Sequence, residues 1–154
     1  MPEDVSSIIK NMTFQETAVY FKQRFQLPDD IQDIMDEWNQ MAYHEYANNV
    51  RLKPGAGEYL SMLKSKGIKA GLATSNCMEL IQPVLKNNDV LEYFDVISTI
   101  DEVDRDKNFP DIYILTARRL QLNPKHCIVF EDILPGVLSA KKAGMQTVGV
   151  YDRY

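Results

Sequence analysis

Ile68-Lys69-Ala70-Gly71-Leu72-Ala73-Thr74-Ser75-Asn76 is the stretch that decides the fold. A short apolar run breaks off into three small hydrogen-bonding residues. The apolar part predicts a buried strand over 68–73, and Thr74, Ser75 and Asn76 lead from it into the next helix. Upstream, Pro54-Gly55 opens a helix carrying Tyr59, Leu60 and Leu63, and Gly67 stops it. Downstream the alternation continues. A helix runs through Leu80, Ile81, Val84 and Leu85, and a strand over 94–100 follows. Next come a helix over 110–120 with Ile112, Leu115 and Leu120 inward, and a strand over 127–130. A helix over 133–143 is ended by Gly144, and a last strand covers 147–150. Strands alternating with helices predict right-handed βαβ units and a parallel sheet covered on both faces.

The first third of the chain reads as helices only. Thr13-Phe14-Gln15-Glu16 is a capping box, in which the threonine hydroxyl and the glutamate carboxylate satisfy backbone donors reciprocally. Phe14, Ala18, Phe21 and Phe25 follow at helical spacing. Pro28 and Asp29-Asp30 suit the start of a second helix. Ile31, Ile34, Met35, Trp38, Met41 and Ala42 form its apolar stripe, and Asn48-Asn49 ends it. A further short helix is expected near residues 2–10. The chain therefore divides into a helical piece, 1–50, and an α/β core, 51–154.

The 154 residues suffice for one sizeable core or a core with a small helical subdomain. A net charge of −5 without a cluster of Lys or Arg argues against nucleic acid as a partner. No apolar stretch approaches the ~20 residues that span a bilayer. Met1-Pro2-Glu3-Asp4 has no leader pattern, so a cytoplasmic protein is expected. Cys77 and Cys127 lack CxxC spacing, which speaks against a disulfide scaffold. Cys127 lies in an apolar run and reads as a buried thiol. His44 and His126 have no partner at ligand spacing.

Ligands of open α/β sheets collect at the carboxyl ends of the strands, and three groups of residues point there. Thr74, Ser75 and Asn76 offer hydroxyls and backbone N–H groups that suit an anion, or they simply cap the following helix. Lys107, ahead of Phe109-Pro110-Asp111, either neutralises a phosphate or is a solvated loop lysine. Glu131 and Asp132 follow the strand at 127–130. Adjacent carboxylates there can hold Mg²⁺, or Asp132 can cap the helix that begins at Ile133.

Taken together, the order and spacing of these groups resemble the haloacid dehalogenase superfamily, in its beta-phosphoglucomutase-like branch. Residues 68–76 look like the second motif of that family. Lys107 with Pro110-Asp111-Ile112-Tyr113 resembles the third. Val129-Phe130-Glu131-Asp132-Ile133-Leu134-Pro135-Gly136-Val137 resembles the fourth, with Ala140 and Ala143-Gly144-Met145 after it. The likeness covers roughly residues 53–150. The helices before Lys53 look like the cap that such enzymes insert. The resemblance implies a Rossmann-like parallel sheet with an N-terminal helical cap subdomain. It also implies Mg²⁺-dependent phosphoryl transfer from a small phosphate monoester, as a phosphatase or phosphomutase. Thr74 would hold the phosphoryl oxygens, aided by the backbone N–H groups of Ser75 and Asn76. Lys107 would offset negative charge, and Glu131 and Asp132 would place the metal. Trp38, Met35 and Met41 read as cap core, whereas Tyr43 or Tyr46 could reach substrate.

The first motif of the family, an apolar strand ending Asp-x-Asp-Gly-Thr, has no counterpart in residues 1–154. Asp104-Arg105-Asp106 has the spacing but belongs to the Lys107 loop, and Asp101 is followed by Val103 at the partner position. The missing strand is the central one of the family, between 68–73 and 127–130. The isolated chain is therefore expected to be inactive, for want of its nucleophile. Removing a strand would also cost several buried aliphatic side chains at roughly 1.5–3 kcal/mol each. It would leave two apolar strand edges unpaired, open to self-association or strand exchange. The expectation is a piece of a longer protein. The alternatives are a second chain that lends elements, or flanking strands that shift and pair directly. A non-catalytic interaction protein, or a phosphate-binding relative, is the alternative function.

Overall fold

In the computed structural model the described residues are Val5, Ile8, Ile9, 12–105 and 108–152. The expected short helix near residues 2–10 lies largely outside them. The chain separates into two compact units, Met1–Glu45 and Tyr46–Tyr154.

The first unit holds helix α1 (Phe14–Phe25) and most of helix α2 (Ile31–Asn48). α1 starts at the capping box read from the sequence: the Thr13 N–H donates to Glu16 Oε2 at 2.7 Å, and the Glu16 N–H donates to Thr13 Oγ1 at 3.2 Å. The two helices meet through aromatic rings. Trp38 meets Phe14 and Phe21 in edge-to-face contacts at 5.7 and 5.1 Å between centroids. Ala18 and Ile34 are buried, but Met41, assigned to the apolar stripe, is 61% exposed.

The second unit alternates as expected: α3 (Ala56–Ser65), β1 (Gly71–Thr74), α4 (Met78–Asn87), β2 (Val96–Thr99), α5 (Asp111–Arg119), β3 (Ile128–Glu131), α6 (Leu134–Lys142) and β4 (Gln146–Gly149). The strands form two parallel pairs rather than one sheet. β1 lies beside β2 with Thr74 opposite Thr99, and β3 beside β4 with Glu131 opposite Gly149. β1 and β3 do not pair with each other, so the direct closure weighed above does not occur.

Helices nevertheless tie the pairs together on both faces. On one face, Ile112, Tyr113 and Ala117 of α5 form a buried cluster with Ala140 and Met145, and both Ala73 of β1 and Val129 of β3 pack against it. On the other, Leu60 of α3 joins the cluster of Ile81, Val84, Leu85 and Val90, which also takes Leu72 and Ile97. The adjacent Tyr59 places its ring 5.4 Å from that of Phe130 on β3. A gap between the free edges of β1 and β3 is thus spanned above and below. No described helix is long and apolar enough to cross a membrane.

Candidate active site

α5 fixes which strand ends lie together. A Cβ on Gly71, at the start of β1, would stand 2.6 Å from Thr116 Cγ2 and 3.1 Å from Leu120 Cδ1. β1 therefore begins against the C-terminal half of α5 and advances toward its N-terminal half. Three strand steps and the seven helix steps from Leu120 back to Tyr113 both cover about 10 Å. Glu131, the last residue of β3, meets Tyr113 itself. The carboxyl ends of β1 and β3, with Thr74 and Glu131, accordingly sit at the same end of α5.

At the end of β1, Thr74 is buried, Ser75 is exposed and Asn76 is half-buried. The Asn76 backbone N–H donates to Thr74 Oγ1 at 3.1 Å. That N–H is therefore engaged within the turn, whereas the Thr74 hydroxyl proton remains free to donate outward. The Asn76 side-chain amide donates to Tyr46 Oη at 3.0 Å. The capping alternative for these residues does not hold, because the N-cap of α4 is Cys77, which makes no side-chain cap bond. Tyr46, read from sequence only as a residue that could reach substrate, touches the loop through Asn76.

At the end of β3, Glu131 is buried and Asp132 is exposed. Tyr113 donates its phenolic O–H to Glu131 Oε2 at 2.9 Å. Burial, and then this bond to a carboxylate, push the Tyr113 phenol well above the ordinary tyrosine range. Gly136 makes room for the pair: a Cβ there would lie 2.6 Å from Glu131 Cδ and 2.7 Å from Tyr113 Oη. Asp132 does not cap α6, whose N-cap is Ile133 without a side-chain cap bond. Nothing in the helical spacing around Tyr113 singles out its hydroxyl as the partner of Glu131.

Lys107 lies outside the described residues. Before and after it in the chain, Arg105 Nε and Nη2 donate to Asp111 Oδ1 at 3.2 and 2.8 Å. The same guanidinium lies 4.6 Å over the ring of Phe109. Asp111 Oδ2 is buried without a hydrogen-bond partner.

A magnesium ion takes about six oxygen ligands, commonly one or two carboxylates with waters and phosphate oxygens. Among the described residues no group of three or more His, Cys, Asp or Glu side chains could hold a metal. Glu131 and Asp132 fit such an ion as part of a site: Asp132 is open to solvent, and Glu131 has one oxygen engaged by Tyr113.

Residues 1–150 match the family model described as haloacid dehalogenase-like hydrolase. The phosphorylated carbohydrates phosphatase of Thermotoga maritima is 30% identical over 146 residues, 95% of this chain and 68% of the relative. The bifunctional riboflavin kinase/FMN phosphatase of Arabidopsis thaliana is 31% identical over 139 residues, 88% of this chain and 36% of the relative. Among solved structures, a Thermotoga maritima protein named for beta-phosphoglucomutase superposes with a TM-score of 0.88 at 30% identity, over 100% of this chain and 72% of its own. CbbY from Rhodobacter sphaeroides, in complex with phosphate, gives 0.78 at 27% identity, over 100% and 73%. The chain spans 53%, 68% and 36% of the lengths of the first three curated relatives it matches. With two parallel strand ends bearing a buried threonine and a paired carboxylate at one end of α5, and a family match over 150 of its residues, the chain belongs to the haloacid dehalogenase-like hydrolases, in their beta-phosphoglucomutase-like branch.

Proposed function

We propose that this chain carries the phosphate- and metal-binding half of a site for phosphoryl transfer from a small phosphate monoester, as a phosphatase or a phosphomutase. The observation that carries this reading is that Ala73 of β1 and Val129 of β3 pack on one cluster of α5 while Tyr113 of α5 holds Glu131, which favours the carboxyl ends of β1 and β3 lying toward the same end of that helix. Thr74, with a free hydroxyl proton, would bind a phosphoryl oxygen, and exposed Ser75 would contribute its backbone N–H. Asn76 would order the turn rather than give its own N–H to the ligand. Lys107 would balance phosphate charge. Asp132, with Glu131 behind it, would hold Mg²⁺, and the ion would supply positive charge beside the phosphoryl group.

The nucleophile is a carboxylate that the described strand ends do not supply. β1, β2, β3 and β4 end at Thr74, Thr99, Glu131 and Gly149, and none runs into Asp-x-Asp. We place that carboxylate on a strand entering the gap between β1 and β3. The names of the relatives favour a phosphorylated small molecule: one acts on phosphorylated carbohydrates, another on FMN, and CbbY has been solved with xylulose-(1,5)bisphosphate.

Residues 1–154 alone should not hydrolyse an aryl phosphate in the presence of Mg²⁺. Release of nitrophenol from p-nitrophenyl phosphate measures this directly. Steady turnover that disappears in Asp132→Ala would mean that the chain has a nucleophile of its own and that the missing-carboxylate reading is wrong.

A further inference from the structure

Tyr46 lies near the end of α2, and its ring packs against the cluster of Ile81, Val84, Leu85 and Val90. Two hydrogen bonds run from its hydroxyl to the proposed phosphate-binding threonine. Tyr46 Oη accepts from Asn76 Nδ2 at 3.0 Å, and the Asn76 backbone N–H donates to Thr74 Oγ1 at 3.1 Å. The second bond occupies the Thr74 oxygen as an acceptor and so turns its proton away from the loop. The first bond fixes the rotamer of Asn76, a residue that would otherwise have broad freedom about its last torsion. Tyr46 stands 30 positions upstream of Asn76, so no local turn accounts for the contact.

We propose that Tyr46 is a positioning residue for phosphate recognition, acting through Asn76 to hold the Thr74–Asn76 turn in its anion-accepting form. This rests on the phosphate site argued above. Tyr46 makes no claim on the substrate itself. Its hydroxyl is carried by a partly buried ring packed against the core cluster, so the orientation of Asn76 is set before any ligand arrives, which lowers the ordering cost of binding.

The test is titration of the full 154-residue chain with inorganic phosphate, followed by calorimetry or by the amide resonances of Thr74–Asn76. Tyr46→Phe keeps the packed ring and removes only the acceptor. It should weaken phosphate binding by about 3- to 10-fold, as expected for one hydrogen bond. Asn76→Ala should weaken it at least as much, and the double variant should bind no more weakly than Asn76→Ala. A purely structural role would lower the thermal midpoint and leave phosphate affinity where it was. Equal affinity in Tyr46→Phe and the unaltered chain overturns the inference. So does a double variant in which the two losses multiply, because Tyr46 would then act independently of Asn76. If the unaltered chain binds no phosphate, the site reading itself fails and the role of Tyr46 goes with it.

Discussion

Arg119 shows how single residues settle the end of α5. Its Nη1 and Nη2 donate to Glu102 at 2.8 and 2.6 Å, and Nη1 also reaches Ile97 O and Ser98 Oγ at 3.2 Å each. The sequence offered Arg118-Arg119 only as a solvated helix face, because nothing local reveals a partner 17 positions away. The hydrogen bonds from Arg119, followed by the Thr99 backbone N–H, hold the Glu102 carboxyl down at about 2, against an ordinary value of 4.5. The folded form therefore binds that proton less readily than the unfolded form. The stabilisation is complete above the ordinary value and is lost as pH falls from about 4.5 toward 2. Both side chains are about one third exposed, so screening limits the pair to about 0.2–1 kcal/mol. Arg119→Ala should lower urea stability by about that amount at neutral pH. The deficit should shrink below pH 4.5 to the part owed to Ile97 and Ser98. A deficit that stays constant, or grows, across the acid limb would show that Glu102 is not the titrating partner. Tyr113 follows the same logic at the site. The sequence supplied the carboxylates Glu131 and Asp132, but the hydroxyl that fixes one of them became visible only when α5 met β3.

Among the elements, β1 shows why type was easier to read than boundary. The apolar run at 68–73 marked a strand correctly, yet pairing begins only at Gly71. Lys69 Nζ donates to Leu120 O at 2.8 Å, and Ala70 exchanges two bonds of 2.8 Å with Asp95, one through the carboxylate. The two Ala70 bonds engage both of its backbone groups with Asp95 ahead of the ladder, so pairing in register begins only at the next residue. On α5 the inward set is Ile112, Tyr113, Thr116, Ala117 and Leu120, whereas Leu115, placed inward from apolarity alone, is only half-buried. The inward residues fall on two rows spaced by four, 112–116–120 and 113–117, and Leu115 lies off both, a distinction that hydropathy alone does not make. On the strand, Gly71 makes room for this face. A methyl there would sit 2.6 Å from Thr116 Cγ2 and 3.1 Å from Val96 Cγ2. Gly71→Ala should therefore cost about 1–3 kcal/mol through overpacking, read from the denaturant midpoint. Thr116→Ser removes the nearest methyl group and keeps the hydroxyl that donates to Ile112 O at 2.7 Å. Adding it should recover part of the loss. A double variant less stable than the two single losses combined would place the strain elsewhere.

For the molecule as a whole, the parallel pairs β1–β2 and β3–β4 are the feature that local sequence could indicate only by omission. Residues 1–154 offer no Asp-x-Asp after an apolar run, and the two strands expected beside such a run do not pair with each other in the fold. α5 and α3 bind both pairs from opposite faces, so the free edges cannot close on each other without tearing Ala73 and Val129 from one cluster and Tyr59 from Phe130. Unpaired N–H and C=O groups on two edges, roofed on both sides, are best satisfied by a single extended segment that bonds to each. The apolar surface around β3 agrees, since Ile128 is 56% exposed and Phe130 49%. A synthetic peptide of about ten residues, apolar and β-branched through its first half and ending Asp-x-Asp-Gly-Thr, should enter the gap by strand addition. Hydrogen exchange at the amides of both Gly71–Thr74 and Ile128–Glu131 should slow together when it is added, with one peptide bound per chain. Protection of only one strand would mean ordinary edge pairing and would overturn the shared gap. Concentration-dependent protection without peptide, with a doubled mass in light scattering, would mean that a second copy occupies the edges instead. Where the peptide binds, turnover of p-nitrophenyl phosphate in its presence separates the two remaining questions. Docking with turnover supports both the gap and the phosphoryl-transfer chemistry, and docking without it leaves the gap standing and removes the chemistry.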